Sequence, residues 1–190
     1  MRSDPVTVPP EATVATAAGV LAEHRIGCLP VTRRDVLVGV VTETDVLDVL
    51  AGASRYGRLS GSCNPPVRDR MTTSLATAGA STTLAEATQL LRNGAIRHLP
   101  ITEGDNRLVG LVSDRDLRRA VGRGLAPSTC LAELGGGRPS TASRDEPMSR
   151  AAYRMAHDRI GAQPVIDAQG RLVGILTVTD VLAHCARVLE

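Results

Sequence analysis

The chain contains no lysine, no tryptophan and no phenylalanine, and only two tyrosines in 190 residues. Its core must therefore be aliphatic, and a flat ligand would be gripped by Val, Ile, Leu and Met rather than stacked on rings. The 22 basic residues, all arginine, stand against 20 acids. A net charge of +2 is too small to argue for a polyanion partner, and it speaks against nucleic acid. Cys28, Cys63, Cys130 and Cys185 are singly placed, with no CxxC and no Cys/His spacing of the zinc kind. They read as scattered thiols in a reducing cytoplasm, and no metal is expected. There is no apolar run long enough to span a bilayer, and MRSDPVTVPP lacks the apolar stretch of a signal peptide, so a cytoplasmic protein without membrane contact is expected.

What the chain does have is a phrase written three times: LVGVVTETDVL from Leu37, LVGLVSDRDLR from Leu108 and LVGILTVTDVL from Leu172. Thr7, Thr77 and Thr141 stand 70 and 64 residues apart, and Pro30, Pro100 and Pro164 repeat those intervals. Gly39, Gly110 and Gly174 stand 71 and 64 apart, which puts one residue more in repeat 2 than in repeat 1, between proline and glycine. A loop must lie there. Each unit is too small to bury a comfortable core alone, so pairing between repeats is expected. The domains are drawn at 1–58, 65–124 and 128–190.

Repeat 2 shows the plan. Ser74 to Ala78 reads as a short strand, and Thr83-Leu-Ala-Glu86 has the spacing of a capping box that opens a helix. Leu84, Ala87 and Leu91 give that helix one apolar face, matched by Val14, Ala17, Ala18 and Leu21 in repeat 1 and by Met148, Ala151, Ala152 and Met155 in repeat 3. Two apolar runs, Ile96 to Ile101 and Leu108 to Ser113, flank the turn-forming stretch Glu103 to Arg107 and read as a hairpin. A second helix starts near Asp116. The class is α/β, with a β-α-β-β-α order in each repeat. Residues 51–66 are rich in Gly, Ser and Pro and read as a flexible joint. Cys130 to Leu134 aligns with the segment from Val67, so repeats 2 and 3 each own a lead-in that repeat 1 lacks.

An [ST]-x-x-D element recurs at the strand-to-helix junctions as Thr42/Asp45, Ser113/Asp116 and Thr177/Asp180. Helix capping is the plainer reading. The sharper one is a ligand cradle, in which a helix N-terminus offers amides to phosphate and the carboxylate accepts from ribose hydroxyls. The glycines of the LVG phrases lie inside strands, where they imply the close approach of a packed helix or a ligand. His24, His157 and His184 have no partner in a catalytic spacing, and no catalytic constellation appears.

Strand, helix, x-x-P, L-V-G and [ST]-x-x-D in that order, three times over nearly the whole chain, resemble the CBS-domain family, whose paired motifs form the Bateman module that binds adenosine-type nucleotides. The resemblance implies a non-enzymatic sensor of AMP, ADP, ATP or a related adenosyl ligand, with no other cofactor. It implies ribose contacts from Asp45, Asp116 and Asp180, and phosphate contacts from Thr42, Ser113 and Thr177. Base contacts would come from the neighbourhoods of Thr7, Thr77 and Thr141 and from backbone near the second-strand prolines, Leu99, Ala162 and Gln163 among them. Repeat 2 alone adds basic groups, Arg97, His98 and Arg115; the run Arg115, Arg118, Arg119, Arg123 also reads as a solvated helix face. Repeats 2 and 3, with their lead-ins, are expected to form the intramolecular pseudo-twofold pair. The helix face of repeat 1 would then be covered by a second copy, giving a homodimer, and an effector protein could read the module. The alternative is a ligand-free scaffold for oligomerisation or partner binding.

Overall fold

The computed structural model describes residues 5–52, 64–135 and 137–189. Repeat 1 consists of α1 (Val14–His24), β1 (Cys28–Arg33), β2 (Val36–Thr42) and α2 (Glu43–Ala51). Repeat 2 has α3 (Leu84–Asn93), β3 (His98–Glu103), β4 (Arg107–Ser113) and α4 (Asp114–Gly122). Repeat 3 has β5 (Ala142–Ser143), α5 (Met148–Asp158), β6 (Ala162–Ile166), β7 (Leu172–Thr177) and α6 (Val178–Val188). The lead-ins are single 3-10 turns at Val67–Asp69 and Leu131–Leu134.

The hairpins β1–β2 and β3–β4 are antiparallel, and the first strand of each repeat is shorter than its sequence suggests. In repeat 2 the expected strand from Ser74 shrinks to the single residue Ala78, whose N–H donates to the Pro100 carbonyl and whose carbonyl accepts from the Thr102 N–H. Val8 does the same beside Val31, and repeat 3 manages the two residues of β5 along β6. The extra residue in repeat 2 falls in the hairpin loop: Arg34-Asp35 joins β1 to β2, whereas Gly104-Asp105-Asn106 joins β3 to β4.

Two of the three LVG glycines, Gly39 and Gly110, sit at β-bulges. Register slips between Val31 and Thr32 and between Ile101 and Thr102, leaving Val38 and Val109 as extra residues of β-bulges beside Gly39 and Gly110. A Cβ on Gly110 would meet its own cross-strand neighbour, Ile101 Cδ1, at 3.2 Å, while one on Gly39 would meet Val31 at an ordinary 3.9 Å. Among the described residues, what comes close to Gly39 and Gly110 is the facing strand of their own hairpin rather than a packed helix.

The chain divides into two compact units. One comprises Met1–Met71, Asp145–Ala162 and Leu176–Glu190; the other comprises Thr72–Arg144 and Gln163–Ile175.

The second unit joins repeat 2 to the hairpin of repeat 3. Its apolar cluster is built on Leu84, Ala87, Leu91, Leu99, Val112, Leu117 and Leu131. Pairing of the two repeats runs through their hairpins: Leu108 N–H donates to the Gly170 carbonyl at 3.3 Å, and Leu172 N–H donates to the Asn106 carbonyl at 2.9 Å. These two bonds exchange under a pseudo-twofold axis, because residues 64 apart are equivalent. Arg107 lies antiparallel to its own counterpart Arg171 on that axis. Thr72, which follows the lead-in of repeat 2, pairs with Ile175 through two 2.9 Å bonds. Repeats 2 and 3 thus form the intramolecular pair.

The first unit packs the helices of repeat 1 on those of repeat 3, α1 on α6 and α2 on α5. This corrects the expectation that the helix face of repeat 1 awaits a second chain. Ala17, Ala18 and Leu21 are buried inside this one chain, and only Val14 is substantially exposed. Small residues let the helices approach: a Cβ on Gly19 would lie 3.6 Å from Ala186 Cβ.

The end of the expected flexible joint is also tied down. Met148 N–H donates to the Pro65 carbonyl, Val67 N–H to the Glu146 carbonyl, and Arg68 pairs with Asp145. Asn64 caps α5, accepting from Ser149 N–H at 2.9 Å and donating to Ser149 Oγ at 2.9 Å, where the N-cap residue Pro147 has no side chain able to do so. Residues 53–63 of the joint, with Cys63, lie outside the described residues.

Candidate functional site

The three [ST]-x-x-D elements are superposable in chemistry. In repeat 2, Ser113 N–H and Oγ–H both donate to Asp116 Oδ2, at 3.0 and 2.5 Å, and Asp116 N–H donates back to Ser113 Oγ at 3.3 Å. Thr42/Asp45 and Thr177/Asp180 form the same reciprocal capping box. The first helical amide is spent in each case on the residue before the hairpin: Glu43 N–H on the Gly27 carbonyl, Asp114 on Arg97 and Val178 on Gly161. Each helix start therefore offers a ligand two things among the described residues, the second helical amide (Thr44, Arg115 or Thr179) and the unused carboxylate oxygen Oδ1. Capping is real in all three repeats, and it consumes half of the carboxylate.

The surroundings differ. In repeat 2, His98 opens β3 half-buried, and burial holds its imidazole below the ordinary histidine pKa. The nearby carboxylates of Asp114 and Asp116 push the other way, and Arg97 adds to the lowering. Arg97 and Arg115 are exposed, Thr77 is half-buried, and Leu99 is fully buried on the strand between them. All seven of these repeat 2 residues lie in one compact unit. Of the arginine run on α4, Arg118 is engaged with Asp114 at 2.9 Å, the pairing of a solvated helix face.

In repeat 1 the equivalent place carries a negative group. A Cβ on Gly27 would come within 3.5 Å of Glu43 Oε2, so an acid overhangs Gly27. Thr7 and Asp45 are exposed and Thr42 half-buried. In repeat 3, Thr177, Asp180 and the buried Ala162 belong to the first unit, whereas Thr141 and Gln163 belong to the second. Gln163 is fully buried and donates from Nε2 to Ser140 Oγ at 2.9 Å, which makes it a structural residue of the second unit's core.

A cavity of about 480 Å³ does exist in repeat 2, but on its helical side, between α3 and α4. Leu91, Ile96, Leu117 and Val121 floor it, and Arg92, Asp114 and Arg118 rim it. It touches neither Ser113 nor Asp116. Sequence reasoning missed it, although the i, i+3, i+7 apolar face of α3 was its signal.

Hairpin-to-hairpin pairing and three identical helix starts meet a clear counterpart among known proteins: the CBS domain pattern matches residues 1–52, 67–123 and 137–187. This chain belongs to the CBS domain family. It is 27% identical to protein MJ1225 of Methanocaldococcus jannaschii over 92% of its own length and spans about two thirds of that relative, 66%. Among solved structures, an uncharacterized conserved protein from Pyrococcus horikoshii shares the fold with a TM-score of 0.79 at 23% identity, covering 97% of this chain and 80% of that one. The CBS domain pair of protein MJ0100, solved with 5′-methylthioadenosine and S-adenosyl-L-methionine, matches 62% of this chain and 93% of its own at 30% identity and TM-score 0.58. CBSX2, solved with AMP, matches 66% of this chain and 99% of its own at 26% identity and TM-score 0.58. Among the described residues no helix is long and apolar enough to cross a membrane.

Proposed function

We propose that this protein is a non-enzymatic cytoplasmic sensor that binds an adenosine-type nucleotide, AMP, ADP, ATP or a related adenosyl ligand, through repeat 2 of its paired repeats. Asp116 Oδ1 would accept from the ribose hydroxyls. Ser113 and the Arg115 amide would meet phosphate, with Arg97 and Arg115 supplying charge. Thr77 and the backbone around Leu99 would border the base, with Thr141 contributing from the neighbouring repeat. The observation that carries this reading is the half-used carboxylate of Asp116 at a helix start flanked by basic groups, a combination neither other repeat has. Relatives solved with adenosyl ligands support the ligand class.

Thr7, Thr42 and Asp45 in repeat 1, and Thr177, Asp180 and Ala162 in repeat 3, make weaker sites, the first because Glu43 overhangs it. Occupancy would act on an effector protein by differential affinity for two states of the module, and the working form is a homodimer. Among the described residues no side-chain set for catalysis supports an enzyme reading.

Thermal unfolding with a panel of AMP, ADP, ATP, S-adenosylmethionine and methylthioadenosine tests the proposal. A ligand at about 100 times its Kd stabilises by about 2.7 kcal/mol, or roughly 5–10 °C for a chain of this size. If none of the panel shifts the midpoint, the ligand-free scaffold is the better reading. One observation already favours that alternative: in every repeat the first helical amide and one carboxylate oxygen are spent inside the protein.

A further inference from the structure

Among the described residues, the hairpin of repeat 1 is left uncovered. Leu37 and Val40 on β2 are 62% and 54% exposed, whereas their counterparts in repeat 3, Leu172 and Ile175, are 3% and 7% exposed. Val36 and Val38 are exposed as well, so Val36 to Val40 forms a continuous apolar strip without a charged residue. Among the described residues nothing pairs with the outer edge of β2. An apolar open edge of this kind is a pairing surface that soluble proteins otherwise blunt with charge or cover.

The chain shows what such a hairpin pairs with, because repeats 2 and 3 use theirs on each other. The bracket of that junction is a left-handed residue at the end of the turn, Asn106 at φ 61° and Gly170 at φ 78°, which aims its carbonyl at the leucine N–H of the facing repeat. Repeat 1 holds the same bracket ready, with Asp35 at φ 64° followed by Val36 and Leu37. The junction is also self-complementary: its central pair, Arg107 with Arg171, joins a residue to its own equivalent. In repeat 1 that central residue is Val36, so the like-charge opposition is replaced by an apolar pair, which favours association. A surface that is complementary to its own copy generates a closed twofold dimer.

We propose that two copies of this chain associate through the β1–β2 hairpins of repeat 1, with Val36 against Val36 on the axis and each Leu37 N–H donating to the Asp35 carbonyl of the other copy. Each copy thereby supplies the facing hairpin that repeat 2 receives from repeat 3. The pairing does not depend on nucleotide occupancy.

Light scattering on the full chain tests it. At micromolar concentration the parent is expected at twice the chain's 19.9 kDa. Leu37→Asp combined with Val40→Asp should give 19.9 kDa with an unchanged circular dichroism spectrum, since both side chains are more than half exposed. The single change Val36→Arg, which restores the like-charge pair, should raise the dimer Kd at least about tenfold. Val121→Asp, on the exposed face of α4, should leave the mass doubled. A monomeric parent overturns the proposal. So does a dimer that survives both hairpin variants, or one that is lost with Val121→Asp instead, which would place the contact on the helices of repeat 2.

Discussion

Leu21→Ala is the sharpest test of how repeat 1 is held. Leu21 lies on the face of α1 that meets α6, and its side chain is completely buried. Truncation leaves a void where α1 meets α6, which cannot collapse far because the two helices are already near contact at Gly19 and Ala186. The cost belongs in the upper part of the range for buried leucines, about 3–5 kcal/mol. For a chain of this length that lowers the thermal midpoint by roughly 6–20 °C. Because α6 belongs to the same chain, the loss must be the same at low and high protein concentration. Calorimetry or urea unfolding of parent and variant, each at two concentrations well apart, measures both properties. A loss below about 1 kcal/mol would refute the packing argument. A loss that shrinks as concentration rises would place the α1 face against a second molecule.

Asp116→Ala should weaken binding of whichever adenosyl ligand the panel selects at least about tenfold by calorimetric titration, consistent with about 1.5–3 kcal/mol for hydrogen bonds to a charged group; parent-like binding would reduce Asp116 to a cap. Because burial lowers the His98 pKa below its ordinary value near 6.5, the unfolded chain binds more protons just below that pH. Stability from this group is therefore complete above about pH 6.5 and is lost as pH falls toward the folded value; His98→Gln should flatten that part of the urea midpoint profile, and an unchanged slope would exclude His98 as its source. Asn64→Ala removes the cap of α5 and should cost about 0.5–2 kcal/mol in urea unfolding, whereas a surface position in a loose joint would cost almost nothing.

Periodicity made the repeats, the hairpins and the capping boxes legible, because each rests on residues within a few positions of one another. Thr83 and Glu86 show this: three residues apart in sequence, they form the predicted box, with the Thr83 N–H holding the Glu86 carboxyl below its usual range. The 2–3 pair was readable from the lead-ins, and in repeat 2 the lead-in does meet repeat 3, through Val67 N–H on the Glu146 carbonyl. What could not be read was the partner of each buried face. The pattern Ala17, Ala18, Leu21 says that a face is covered and is silent about whether α6 or another chain covers it. Asn64 capping Ser149 is a contact across 85 residues with no local signature. For Gly39 and Gly110, sequence shows a strand residue without a side chain, and only the register shows the bulge beside it. At the candidate site, sequence names the carboxylate by type, but its division between cap and solvent depends on rotamer and could not be seen.

Three repeats, each with a sheet face and a helix face, cannot satisfy one another completely. Repeat 3 uses its hairpin on repeat 2 and its helices on repeat 1, which leaves the hairpin of repeat 1 and the helices of repeat 2. These two leftover faces are not alike. The nine residues of α4, DRDLRRAVG, carry five charges, and Arg118 folds back on Asp114 across its outer surface. Such a face is at home in water, with Val121 its one large exposed apolar side chain among the described residues. In contrast, α1 keeps VATAAGVLA free of charge where α6 covers it. β2 reads VLVGVVT, equally without charge, where nothing among the described residues covers it. Composition thus sorts faces that are satisfied by solvent from faces selected for cover, and by that criterion the hairpin of repeat 1 belongs with α1. The same fold element is polar where it ends in solvent and apolar where it meets protein, which makes β2 the surface at which assembly of this protein should be sought.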